Sequence, residues 1–213
     1  MTRALLGGSF DPVHAGHVAM AAHVLERGWA DVVHVVPAWL SPHKDLAAAP
    51  AAARLDMVRL AFAGLPRIVV DPREIAAGRP CRTVETLESL VADHPGDPFR
   101  LVIGADNLAD FHRWSRPDRL LELAQLVVLG REGWPLDDAA VAASGLPRRR
   151  VLLAPEFVRP VSSTAVRAML AAESRSLADL VAGGLPAPVA RHIIDHGLYR
   201  PDPNGEHRVP DPD

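Results

Sequence analysis

Gly7-Gly8-Ser9-Phe10-Asp11-Pro12-Val13-His14-Ala15-Gly16-His17 follows the short apolar run Ala4-Leu5-Leu6 and precedes an apolar-periodic segment, Val18 to Leu25. The order is strand, glycine turn, helix start. In that layout backbone N–H groups and a helix N-terminus face a phosphate. The two glycines carry no Cβ, so the backbone can approach a ligand closely. His14 and His17 stand three residues apart around the first helical turn, which lets both rings lie on one side of it. Each ring offers a donor to an anionic oxygen. The competing reading is a tight turn capped by Asp11 or Ser9, with two incidental histidines.

Composition narrows the field. A chain of 213 residues, 48% of them apolar, fits one domain with a core of its own. A formal charge of −3 argues against a general nucleic-acid binder, since such domains are markedly basic. Cys81 is the single cysteine, so no disulfide framework exists. No apolar run reaches transmembrane length and no signal peptide opens the chain; the expectation is a cytoplasmic protein without a membrane partner. Association into a homo-oligomer is left open. Lys44 is the only lysine.

Outward from the opening motif, the pattern alternates. Strands are expected at Val32–Val36, Arg67–Val70 (buried), Arg100–Ile103, Leu126–Leu129 and Val151–Leu153. Helices are expected at Ala51–Ala63, with Arg54 and Arg59 on its surface, and at Thr83–Ala92, with Thr83 as N-cap. Others are expected at Leu120–Leu123, Ser163–Ala172 and Pro188–His196, with a short one near Asp137–Ala143. Short continuous apolar strands alternating with helices mean an α/β fold, a parallel sheet covered on both faces. Such sheets bind ligands beyond the carboxyl ends of their strands, where Gly7, Pro37, Asp71 and Gly104 fall. Residues 1–200 form the expected domain. Residues 201–213, rich in proline and mixed charge, are expected to be a disordered tail.

Three further groups carry chemistry. Ser41-Pro42-His43-Lys44, in the loop after the second strand, offers an imidazole and an ammonium to an anion. Ile103-Gly104-Ala105-Asp106 places a carboxylate just past a strand, where it can accept both hydroxyls of a ribose. Trp114, eight residues on, can stack on a flat ring. In Val161-Ser162-Ser163-Thr164-Ala165-Val166-Arg167 a serine hydroxyl caps a helix whose N-terminus attracts anions, and Arg167 can reach back to the same oxygens. Each group alone also reads as an ordinary loop, cap or packing residue. No zinc spacing and no carboxylate cluster suited to an all-protein metal cage stands out.

The opening string resembles the HxGH signature of the nucleotidyltransferase superfamily, and with its GGSFDPVH beginning it is similar to the bacterial nicotinate-nucleotide adenylyltransferases. The resemblance extends through the PHK, GxD and (I/V)S(S/A)TxxR elements, in order, to Gly197-Leu198-Tyr199-Arg200, which reads as structural. It implies a Rossmann-like doubly wound sheet that transfers AMP from ATP to nicotinate mononucleotide. On this resemblance ATP lies against Gly8, Ser9, Phe10, His14, His17, Gly104, Asp106, Ser162, Ser163 and Arg167. The mononucleotide lies against Ser9, His43, Lys44, Thr83 and Trp114. His14, His17, Lys44 and Arg167 are the implied catalytic groups. Mg²⁺ is expected to enter with ATP, bridging phosphate oxygens. Arg82, before Thr83, departs from the aromatic residue common in related enzymes and could charge-pair with a carboxylate. A same-superfamily enzyme for nicotinamide mononucleotide or phosphopantetheine, a non-catalytic nucleotide sensor and a synthetase fragment are the alternatives.

Overall fold

The computed structural model describes residues 1–40, 47–171 and 176–200. Its strands are β1 (Arg3–Gly8), β2 (Val32–Pro37), β3 (Ile68–Val70), β4 (Phe99–Gly104), β5 (Ala124–Leu129) and β6 (Val151–Ala154). All pair in parallel, in the order β3-β2-β1-β4-β5-β6. The chain leaves β1 toward β2 and β3 on one side and later builds β4, β5 and β6 on the other. The strand order therefore reverses between β1 and β4, whose register sets Leu6 beside Val102.

Alternation along the strands splits the core in two. Ala4, Leu6, Val33, Val35, Val102 and Val127 pack with α1 (Ala15–Glu26), α2 (Ala51–Phe62) and the C-terminal helices. Leu5, Val36, Leu101, Ile103, Leu126 and Val128 face the opposite way. They are covered by α4 (Thr83–Asp93), which follows the four-residue α3 (Arg73–Ala76), and by α5 (Pro117–Leu123) and α6 (Asp138–Ala143). The first layer is completed by α7 (Ser163–Leu170), α8 (Leu177–Ala182) and α9 (Ala187–Asp195). Each fully buried aliphatic side chain contributes roughly 1.5–3 kcal/mol, so two such layers hold the sheet without disulfides.

The expected elements are present, with corrections. The third strand is an edge strand rather than a buried one, and Val69 is 45% exposed. Short β-branched runs look alike at an edge and in a core. The N-cap of α4 is Arg82, not Thr83, and Glu85 accepts the Arg82 backbone N–H at 3.4 Å. Arg54, expected on a surface, is 1% exposed. The helices α3 and α8 are too short to show a period. Ser41–Leu46 and the tail 201–213 lie outside the described residues.

Candidate active site

One cavity of about 930 Å³ opens over the carboxyl ends of β1 and β4. It gathers Gly8, Ser9, Phe10, His14, His17, Thr83, Gly104, Asp106, Trp114, Ser162, Ser163 and Arg167. These are twelve of the fourteen residues singled out from the sequence; His43 and Lys44 lie outside the described residues. Asp71, also just past a strand, does not line the cavity and pairs instead with Arg73 at 2.7 Å.

After β1 the chain turns at Phe10, whose φ is +47°. The Phe10 ring is 2% exposed and meets the His17 ring edge-on, centroids 4.8 Å apart. His14 is the N-cap of α1, and its backbone N–H donates to His17 Nδ1 at 3.2 Å. The two imidazoles stack with centroids 3.8 Å apart and planes 26° from parallel. The HxGH spacing makes this contact possible at Gly16: a Cβ there would lie 2.9 Å from both His14 Nδ1 and Val161 Cγ1.

Burial first, then the positive field of Arg131, pulls the His14 imidazole down to about 4. Burial, then His14, then Arg131 hold His17 well below the usual histidine range. Both rings are neutral at physiological pH. Because His17 Nδ1 is an acceptor, its proton lies on Nε2, and the ring presents a neutral N–H donor.

A buried polar frame holds the turn. Arg54 donates to the carbonyls of Ser9 (2.7 Å), Ala38 (2.6 Å), Trp39 (2.5 Å) and Ala49 (3.2 Å). Asp11 accepts the N–H groups of Ala48 and Ala49 and, at 2.7 Å, the hydroxyl of Tyr199. Neither Asp11 nor Ser9 caps α1; Asp11 ties its loop to the segment before α2. Arg167 donates to the Asp11 carbonyl at 2.6 Å and to Thr164 Oγ1 at 3.2 Å. A guanidinium has five N–H donors, so others remain for an anion. Ser162 Oγ caps α7 by accepting from Ala165 N–H, and Ser163 Oγ donates to the Pro12 carbonyl at 3.0 Å. The backbone N–H groups of Ser163 and Thr164 have no acceptor within the helix.

Across the sheet, Asp106 Oδ2 accepts from Arg131 Nη1 at 2.6 Å. Asp106 Oδ1 is buried without a partner among the described residues, which leaves an acceptor for a hydroxyl. A Cβ at Gly104 would overlap that same oxygen. Trp114 packs on Phe111, centroids 5.4 Å apart, and lines the cavity together with Thr83 and Glu74. Glu74 is 8% exposed, accepts the Thr86 hydroxyl at 2.5 Å, and is pushed up by burial. No group of three or more His, Cys, Asp or Glu residues among those described is placed to hold a metal ion.

Arg131 and Arg54 escaped the sequence reading. Arg131 could have been found: it stands two residues past β5, at the same carboxyl edge.

A parallel sheet with a reversal of order, and a cavity over its glycine-bearing strand ends that takes in the starts of α1 and α7, suit a nucleotide-handling enzyme. Residues 5–169 match the family model described as cytidylyltransferase-like, and the chain belongs to that family. Within it the chain belongs with the nicotinate-nucleotide adenylyltransferases. A relative from Rubrobacter xylanophilus, described as a probable nicotinate-nucleotide adenylyltransferase, is 36% identical over 93% of this chain and 92% of its own length. One from Bordetella petrii with the same description is 37% identical over 92% and 97%. The fold matches the solved nicotinic acid mononucleotide adenylyltransferase of Plasmodium falciparum complexed with NaAD. The TM-score is 0.77 at 19% identity, over 93% of this chain and 97% of that one.

Proposed function

We propose that this enzyme transfers AMP from ATP to nicotinate mononucleotide, giving nicotinate adenine dinucleotide and pyrophosphate, a step of NAD synthesis. The observation that carries this reading is the convergence of the separated motifs on one cavity at the point where strand order reverses. Relatives at this identity and coverage supply the acceptor.

An oxygen of the mononucleotide phosphate attacks the α-phosphorus of ATP. The bond from that phosphorus to the bridging oxygen breaks, and pyrophosphate leaves with the electron pair. No protein base is needed, because a phosphate monoester with a second pKa near ~6 is already ionised at neutral pH. The chain's work is to align two anions and to neutralise the charge that develops. His17 Nε2–H, with His14 stacked behind it, donates to the α-phosphate. Arg167 and the first N–H groups of α7 hold the outer phosphates, and Lys44 joins them by its motif. Asp106 accepts the adenosine ribose hydroxyls. Thr83 and Trp114 receive the pyridine ring. Mg²⁺ bound to the ATP phosphates offsets their charge. Residues 1–200 form the catalytic unit. We place the enzyme in the cytoplasm, where both nucleotides are available; among the described residues no helix is long and apolar enough to cross a membrane.

The test is release of pyrophosphate from ATP and Mg²⁺ with nicotinate mononucleotide, nicotinamide mononucleotide or phosphopantetheine as acceptor, with the product identified by mass. The expected result is the highest kcat/KM with nicotinate mononucleotide. Binding of ATP without turnover on any acceptor would overturn the assignment.

A further inference from the structure

We propose that the Arg82 side chain selects the acid form of the pyridine mononucleotide over the amide by pairing with the ring carboxylate. The inference rests on the acceptor reading above. Arg82, the N-cap of α4, stands between Cys81 and Thr83 in the chain and lines the cavity, as do Glu74 and Trp114.

The argument is one of charge. Glu74 lines the same cavity, but burial raises its carboxyl and its single hydrogen bond among the described residues comes from the neutral Thr86 hydroxyl, so it supplies no countercharge. A ligand carboxylate that leaves water in this cavity needs one, whereas a carboxamide does not. A countercharge must come from a cation that is not already paired. Arg79 is held by Glu85 at 3.1 Å, and Arg113 by Asp110 at 3.5 Å. Arg131 is held by Asp106 at 2.6 Å, and Arg159 lies over the Phe157 ring, 5.0 Å from its centroid. Glu85 accepts the Arg82 backbone N–H without a hydrogen bond from the Arg82 side chain, and its carboxyl is held down by Arg79 first and more weakly by the Arg82 charge. The Arg82 guanidinium has no carboxylate partner among the described residues, and it is exposed at the cavity. Its planar fork suits a carboxylate and offers no acceptor for a carboxamide N–H.

The experiment compares kcat/KM for nicotinate and nicotinamide mononucleotides in the wild type, Arg82→Gln and Arg82→Lys, at low and high salt. Because the pair is solvent-exposed, the acid-to-amide ratio is expected to fall about fivefold in Arg82→Gln, carried by KM for the acid. Arg82→Lys should restore most of the ratio, and added salt should lower it in the wild type. A ratio within twofold of wild type in Arg82→Gln, or an equal loss of kcat on both acceptors, would overturn the proposal. A wild type that adenylylates neither acceptor would refute the parent reading instead.

Discussion

The backbone N–H of His14 donates to the ring of His17, and the two imidazoles then stack at 3.8 Å. One hydrogen bond thus sets both the tautomer and the orientation of the ring assigned to the α-phosphate. Replacing His17 by Ala is expected to lower kcat by about 10²–10³-fold, the usual loss for one preorganised donor. His17 lines the cavity and belongs to neither apolar layer, so the fold should survive. His17→Gln, which keeps a neutral N–H, should lose less. Steady-state kinetics with circular dichroism as the folding control checks this; near-normal turnover in His17→Ala would end the assignment.

Gly16→Ala should damage catalysis more than stability. The added methyl meets His14 Nδ1 and Val161 Cγ1 at 2.9 Å, so the stacked ring or α7 has to move. A displacement of ~1 Å at a reacting centre can cost 10²-fold. The check is kcat against Tm: a large loss in kcat with a small change in Tm.

Removing Arg54 should be severe for a different reason. It would leave buried carbonyls of Ser9, Ala38, Trp39 and Ala49 without their donor and strip the neighbouring Asp11 of its countercharge. Arg54→Met is expected to cost about 3–5 kcal/mol, the range for breaking a buried charged network. Urea unfolding measures it, and a loss below ~1 kcal/mol would contradict the structure.

Acid should destabilise the protein over a defined window. Burial, followed by Arg131 for His14 and by Arg3 for His34, brings both folded-state values to about 4. In the unfolded chain these imidazoles take up protons near ~6.5. Below that pH the unfolded state binds more protons, so stability is lost as pH falls from about 6.5 toward about 4. Urea midpoints at stepped pH should decline through this window, with a shallower decline in His34→Gln. Midpoints independent of pH would refute it.

Asp106 is expected to read the ribose through Oδ1, the oxygen that Arg131 leaves unpartnered. ATP should outperform 2′,3′-dideoxy-ATP by about tenfold or more in kcat/KM, since a site built for hydroxyls discriminates against their absence. Asp106→Ala should weaken ATP and abolish that preference. A preference that persists in the variant would move ribose recognition elsewhere.

Much of this was legible in the chain itself. Ala4 to Leu6 and Leu126 to Leu129 are short apolar runs followed by glycine, which reads as strands that end at a turn, and the serine before α7 reads as its cap. Arg54 was not legible, because its helix spacing is that of any surface arginine and its partners are backbone carbonyls, which carry no sequence signal. Arg131 was missed because it sits in a segment that reads as an excursion. The exposure of β3 depends on which neighbour a strand lacks, a property of strand order that no local pattern encodes.

The Tyr199 hydroxyl reaches Asp11 across 188 positions of sequence. During synthesis the phosphate-facing turn emerges early, and its buried carboxylate lacks this partner until the segment carrying Tyr199 has left the ribosome. A nascent chain halted before α9 would be expected to handle nucleotides poorly despite carrying every phosphate-contacting motif.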